Sequence, residues 1–171
     1  MSNLLKITES AFYKYQPMAE LSDIIFEGFL LSSFKGNTSS AIEIGSGSAA
    51  WPLTMNDLAF NSPSWDLVEN FSWASDNIKG KWPTSPTELD AYIRNSNPNF
   101  KLNEIHAWVP DTSAQYDLCR IDCYVDPSWA EEFVSNCLTD DAWLFIDDCK
   151  MNCGFERIML ANRLVDKGIV H

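Results

Sequence analysis

A chain of 171 residues with 46% hydrophobic and 21% charged side chains has the composition of one globular domain, long enough to bury a core without disulfide staples. Its net charge of −12 and its scattered arginines (Arg94, Arg120, Arg157, Arg163) exclude a nucleic-acid backbone as partner, because phosphate binding needs a basic stripe. Residues 1–20 lack a basic start followed by an apolar stretch, no apolar run is long enough for a bilayer, and five cysteines are an odd number, so the chain reads as cytoplasmic with reduced thiols.

Residues 1–18 read as an N-terminal extension. Leu21, Ile24, Ile25, Gly28, Phe29 and Leu31 then share one helical stripe over 19–32, with Glu20, Asp23 and Glu27 off it. The polar stretch 35–40 ends that helix. Residues 41–44 form a short strand, and 49–60 a helix that tolerates Pro52 only in its first turn. A turn at 61–64 leads to a second strand at 65–70, and a long surface loop spans 72–86.

Ser85, Pro86 and Glu88 open the next helix as N-cap, first helical residue and third, and it ends near Asn95–Pro98. Strands are expected at 103–109 and 116–125, the second ending at Asp126-Pro127. Ser128 with Glu131 reads as another capping box, turning Trp129, Phe133, Val134 and Cys137 inward. A turn at 139–141 precedes a fifth strand at 142–146, and Phe155 to Val165 make a last amphipathic helix stopped by Gly168. Strands alternating with helices at this spacing predict an α/β, Rossmann-like three-layer sandwich with a mostly parallel five-stranded sheet. The whole chain, 1–171, reads as a single domain.

Chemistry concentrates where such a sheet ends. Gly45 and Gly47 follow a short strand carrying Glu43, and Ser46, Ala49 and Ala50 are equally small. A glycine turn running into a helix presents backbone N–H groups and a helix N-terminus to a small polar ligand. Glu69, with Asn70 after it, closes the second strand about 20 residues further on, the position from which an acid accepts ribose hydroxyls. Asp126, Asp147 and Asp148 close the fourth and fifth strands, and three carboxylates from two strand ends suit a hard cation such as Mg²⁺. The cysteines suit zinc poorly: Cys119 and Cys123 lie in one strand, roughly 13 Å apart at strand rise. His106 reads as a packed residue within a strand, and no Ser/His/Asp pairing supports a hydrolase triad.

Over roughly residues 20–171 these pieces resemble the class I S-adenosylmethionine-dependent methyltransferases. Those that match are Glu43-Ile-Gly-Ser-Gly47, Glu69, Asp126, and Trp143-Leu-Phe-Ile-Asp-Asp148 before an amphipathic helix. The doubled aspartate looks most like small-molecule O-methyltransferases of the macrocin type. The resemblance implies S-adenosylmethionine as cofactor, its methionine moiety held by Glu43, Gly45, Ser46, Gly47 and Ala49, and its ribose by Glu69 and Asn70. It further implies Mg²⁺ on Asp126, Asp147 and Asp148, Asp126 acting in catalysis, and a small hydroxylated acceptor.

This sequence departs from the family in three places. Ala49 stands for a third glycine, Thr139-Asp-Asp141 for a Pro-Gly-Gly turn, and the usual C-terminal antiparallel hairpin is lacking. Without that hairpin the fifth strand, with Leu144 and Ile146, is an open edge, so a second copy or another partner is expected to cover it. Two other functions stay open: a non-catalytic binding or assembly module, and an NAD-binding protein, since Gly45-x-Gly47-x-x-Ala50 also fits a dinucleotide fingerprint.

Overall fold

All five expected strands form, and every pairing between them is parallel. The computed structural model describes residues 2–15, 21–33, 38–58, 63–72, 82–108, 114–147 and 155–170. Strands β1 (Ser40–Ile44), β2 (Ser64–Val68), β3 (Leu102–His106), β4 (Tyr116–Ile121) and β5 (Leu138–Ile146) lie in the order β3-β2-β1-β4-β5. The helices are α1 (Ser2–Tyr15), α2 (Leu21–Ser33), α3 (Ala50–Leu58), α4 (Pro86–Ser96), α5 (Pro127–Cys137) and α6 (Phe155–Asp166). The chain steps outward from β1 to β3, returns to β4 and steps outward again, so strand order reverses between β1 and β4. In open parallel sheets ligands bind at that reversal, beyond the carboxyl ends of the strands.

Both faces of the central strands are covered, so β1 and β2 are buried along nearly their whole length. On one face Trp65 and Leu67 pack with Leu53 and Met55 of α3 and Leu89 and Ile93 of α4. Trp65 is wholly buried, edge-on to Trp51 at 5.9 Å and stacked on Phe100 at 6.0 Å. On the other face Ile42, Ile44, Cys119 and Ile121 meet Phe133 and Val134 of α5 and Leu160 and Leu164 of α6. Glu131 ties α5 to α6 through Lys167, at 2.5 Å, and Arg163. Among the described residues no helix is long and apolar enough to cross a membrane. Cys119, Cys123 and Cys137 are free thiols, and Cys149 and Cys153 lie outside the described residues.

Local expectations need correction at α1, the end of β4, the N-cap of α5 and the start of β5. Residues 2–15 are a helix that belongs to the core: Thr8, Ala11 and Tyr15 share its buried face, and the Tyr15 hydroxyl donates to Asp57 Oδ2 at 2.9 Å. β4 ends at Ile121, four residues before Val125, so Asp126 is no strand-end acid. It is instead the N-cap of α5, accepting from Ser128 N at 2.9 Å and Trp129 N at 3.1 Å, with Pro127 opening the helix. The turn expected at 139–141 is strand, because α5 runs straight into β5. Register slips there: Tyr116 faces Leu138, while Leu118 faces Trp143.

The Ser85 cap forms as read, accepting from Glu88 N at 3.3 Å. The Glu88 carboxylate, however, turns to Thr84 N at 2.8 Å. His106 ends β3 instead of sitting within it. There Asp66, buried in β2, accepts from Tyr116 Oη and Asn103 Nδ2 at 2.8 Å each, with His106 Nε2 at 3.6 Å. Burial, reinforced by Asp66, holds the Tyr116 phenol above its ordinary range and therefore protonated. This network staples β4, β2 and β3 across the sheet. Tyr116→Phe leaves a buried Asp66 oxygen without its donor, and the expected loss of stability is about 1–3 kcal/mol. Urea unfolding would show a lower midpoint with an unchanged slope.

Candidate functional site

The glycine loop leaves β1 in a conformation few side chains tolerate. Gly45 has φ +88°, and a Cβ there would stand 2.8 Å from both the Asp122 carbonyl oxygen and Cys123 Cβ. Only glycine lets the loop fold onto the exit of β4. Gly45 N and Ser46 N both donate to Val68 O, at 2.9 and 3.1 Å, which fastens the loop to β2. Gly47, at φ +53°, donates its N–H to Glu69 Oε2 at 2.8 Å, and the Trp82 ring lies 3.7 Å from where its Cβ would be. Glu69 uses its other oxygen on Phe71 N, also at 2.8 Å. One buried carboxylate thus spans the loop and the turn after β2.

These elements enclose a cavity of about 870 Å³ beyond the carboxyl ends of β1, β2 and β4, a volume that suits a cofactor-sized ligand. Trp82, Trp108, Tyr124 and Trp129 furnish aromatic walls, while Glu43, Glu69, Asp122 and Asp126 outnumber Arg120 and Arg157. An acidic pocket with aromatic walls favours an organic cation or a flat heterocycle.

At its inner wall Arg120 of β4 is 4% exposed. Its Nη1 donates to Glu43 Oε1 at 2.5 Å and reaches Asp122 Oδ2 at 2.9 Å, and its Nη2 donates to Asp147. The guanidinium also lies over the Trp51 ring, 5.0 Å from its centre. Burial pulls the guanidinium down, but Glu43, Asp122 and Asp147 together hold it above its ordinary range. Burial pushes the Glu43 carboxyl up to about 8, against the pull of Arg120 beside it. Burial likewise raises Glu27, whose carboxylate accepts from Trp51 Nε1 at 2.7 Å.

Of the residues expected to bind a cofactor, Glu43, Gly45, Ser46, Gly47, Glu69 and Asn70 line the cavity. Ala49 does not: it takes φ 57° and packs into the core, starting the turn into α3. Asp126 reaches the wall, but Oδ1 is engaged by two backbone N–H groups. Asp147 is held by Arg120, and Asp148 lies outside the described residues. The expectation of Mg²⁺ on Asp126 and Asp147 does not fit these positions. No group of three or more His, Cys, Asp or Glu side chains arranged for a metal exists among the described residues. Arg120 and Asp122 were missed. The available signal was an arginine inside the apolar run 116–125, since a charge buried in a strand needs carboxylates around it.

No family model matches the sequence, and no curated protein matches it either. Solved structures do. A Podospora anserina methyltransferase bound to SAH superposes with TM-score 0.60 at 13% identity, over 96% of this chain and 78% of that one. The precorrin-6y C5,15-methyltransferase of Geobacter metallireducens gives 0.53 at 12% identity, over 82% and 69%. The chain shares the Rossmann-like α/β fold of these proteins. In this fold the glycine loop, Glu69 and Arg120 meet at the point where strand order reverses.

Glu43 sets a pH dependence whose sign follows from its raised value. Its contribution to stability is fully present below about 4.5, where both folded and unfolded chains hold the proton, and is lost as pH rises toward about 8. Thermal melts across that window should show Glu43→Gln flattening the decline seen in the parent protein. Parallel profiles would contradict a buried, raised Glu43.

Proposed function

We propose that this chain binds S-adenosylmethionine and transfers its methyl group to a small hydroxylated acceptor. The observation that carries this reading is the cavity itself. A glycine loop, the N-terminus of α3, an acid just past β2 and aromatic walls all face one space of about 870 Å³. The N-terminus of α3 suits the cofactor's carboxylate, Glu69 its ribose hydroxyls, and the aromatic, acidic walls its adenine ring and sulfonium.

Methyl transfer asks little covalent chemistry of a protein. Bound there, S-adenosylmethionine would supply a methyl carbon open to in-line attack by the acceptor oxygen, with the carbon–sulfur electron pair left on sulfur and the acceptor's proton passed to a base. Catalysis therefore rests on holding donor and acceptor in line. Asp126 stands in the cavity wall with Oδ1 fixed by the start of α5, which leaves Oδ2 for the acceptor's hydroxyl proton.

A second reading is favoured by β5. Its residues 142–146 are only half-buried at the sheet edge, so a binding or assembly module, closed by a second copy of the chain, is the alternative. A defined dimer in sedimentation that takes up no S-adenosylmethionine would favour it. Binding of NADH, read by its fluorescence, would instead favour a dinucleotide protein.

Titration calorimetry with S-adenosylmethionine and S-adenosylhomocysteine tests the main reading. Heat with both is expected, and Glu69→Ala should weaken binding about tenfold or more, the worth of hydrogen bonds to a charged group. Absence of heat, or unchanged affinity in a folded Glu69→Ala protein, would overturn it.

A further inference from the structure

Three acids from three strands converge on one side chain. Glu43 stands late in β1, Asp122 follows β4 and Asp147 follows β5, and all three grip Arg120. We infer that the Arg120 guanidinium is the built-in cation of this site, filling the place where strand-end carboxylates would otherwise gather a divalent metal ion.

With the guanidinium between them the three acids are not arranged for a metal, but they are the ligand type a hard ion takes, drawn from separate strands at the cavity's inner wall. One guanidinium does not exhaust them. Glu43 is 1% exposed, belongs to the cavity wall, and its Oε2 has no hydrogen-bond partner. Arg120 Nε is equally without one. A cluster built solely to stabilise the sheet would leave neither, since an orphaned buried polar group is costly. Three carboxyl groups thus converge on the one guanidinium at their centre, with Arg157 Nη1 a further 3.9 Å from Asp122 Oδ1.

Arginine suits this role because its fork can address several carboxylates at once and it never loses its charge. Trp51 fixes the plane of the fork from below. The cavity therefore keeps one positive centre at a constant position, independent of any ion in solution. Register makes the substitution direct: Glu43 and Arg120 are opposite each other in the β1–β4 pair.

The inference does not depend on the ligand being S-adenosylmethionine, and its test uses no cofactor. Mn²⁺ is titrated into the protein at pH 8.5, above the value of about 8 that Glu43 has beside Arg120, and bound ion is counted by electron paramagnetic resonance. The parent chain should take up no Mn²⁺ that Asp122→Asn abolishes. Arg120→Ala should bind one Mn²⁺ per chain at least tenfold more tightly than the parent, and the double variant Arg120→Ala, Asp122→Asn should lose it. Methylguanidinium added to Arg120→Ala should compete with Mn²⁺. Circular dichroism checks folding. If Arg120→Ala does not fold, Arg120→Met, which keeps the apolar stem, carries the same titration. Two results overturn the inference: Mn²⁺ binding by the parent chain that needs Asp122, or a folded Arg120 variant that binds no Mn²⁺.

Discussion

A guanidinium buried at the reversal of strand order organises this molecule. A charge so placed must collect partners, and it collects one from each of three strands, on both sides of the crevice where ligands enter. Loss of the guanidinium from such a cluster is costly, about 3–5 kcal/mol, because the acids around it would stay buried without compensation. The carboxyl ends of β1, β4 and β5 are therefore held in fixed relation before any ligand arrives. The glycine loop inherits that rigidity, since Gly45 lies directly against Asp122 and Cys123.

The outer half of the site is made differently. There the contacts are backbone hydrogen bonds and aromatic faces: Glu69 on Gly47 and Phe71, Trp82 against the loop, and Trp129 stacked at 5.2 Å on Phe133. Each Glu69 oxygen accepts one of these backbone N–H groups, and a carboxylate oxygen can accept a second hydrogen bond. Trp108 and Tyr124 expose most of their surface at the rim and await something to cover. Inner charge cluster and outer aromatic rim divide the work between orientation and area.

What was legible in the sequence was local. The glycine loop, the acid after β2 and the Ser85 cap each depend on a few adjacent residues whose chemistry has one good use. The parallel sheet followed from the alternation of elements. What escaped depends on distant partners. Tyr116 to Val125 is apolar enough throughout to read as one strand, yet the chain leaves the sheet at Asp122 to meet a helix capped by Asp126. That early exit moved Asp126 off the strand end and put Asp122 there instead. Arg120 was overlooked because an arginine within a strand announces a need for carboxylates without naming them. Helix α1 escaped because, among the described residues, its buried face is Thr8, Ala11 and Tyr15, too small and mixed to register as a stripe.

The joint between α5 and β5 contains no loop. Helix α5 starts at the cavity with Asp126, runs about 16 Å at helical rise, and becomes β5, whose end returns to the cavity as Asp147 on Arg120. Helix and strand are one continuous segment, although β5 takes up extra residues where its register slips between Leu138 and Trp143. A ligand resting on Asp126 or Trp129 therefore touches the same segment that ends as the edge strand, and that segment meets the cavity at both of its ends.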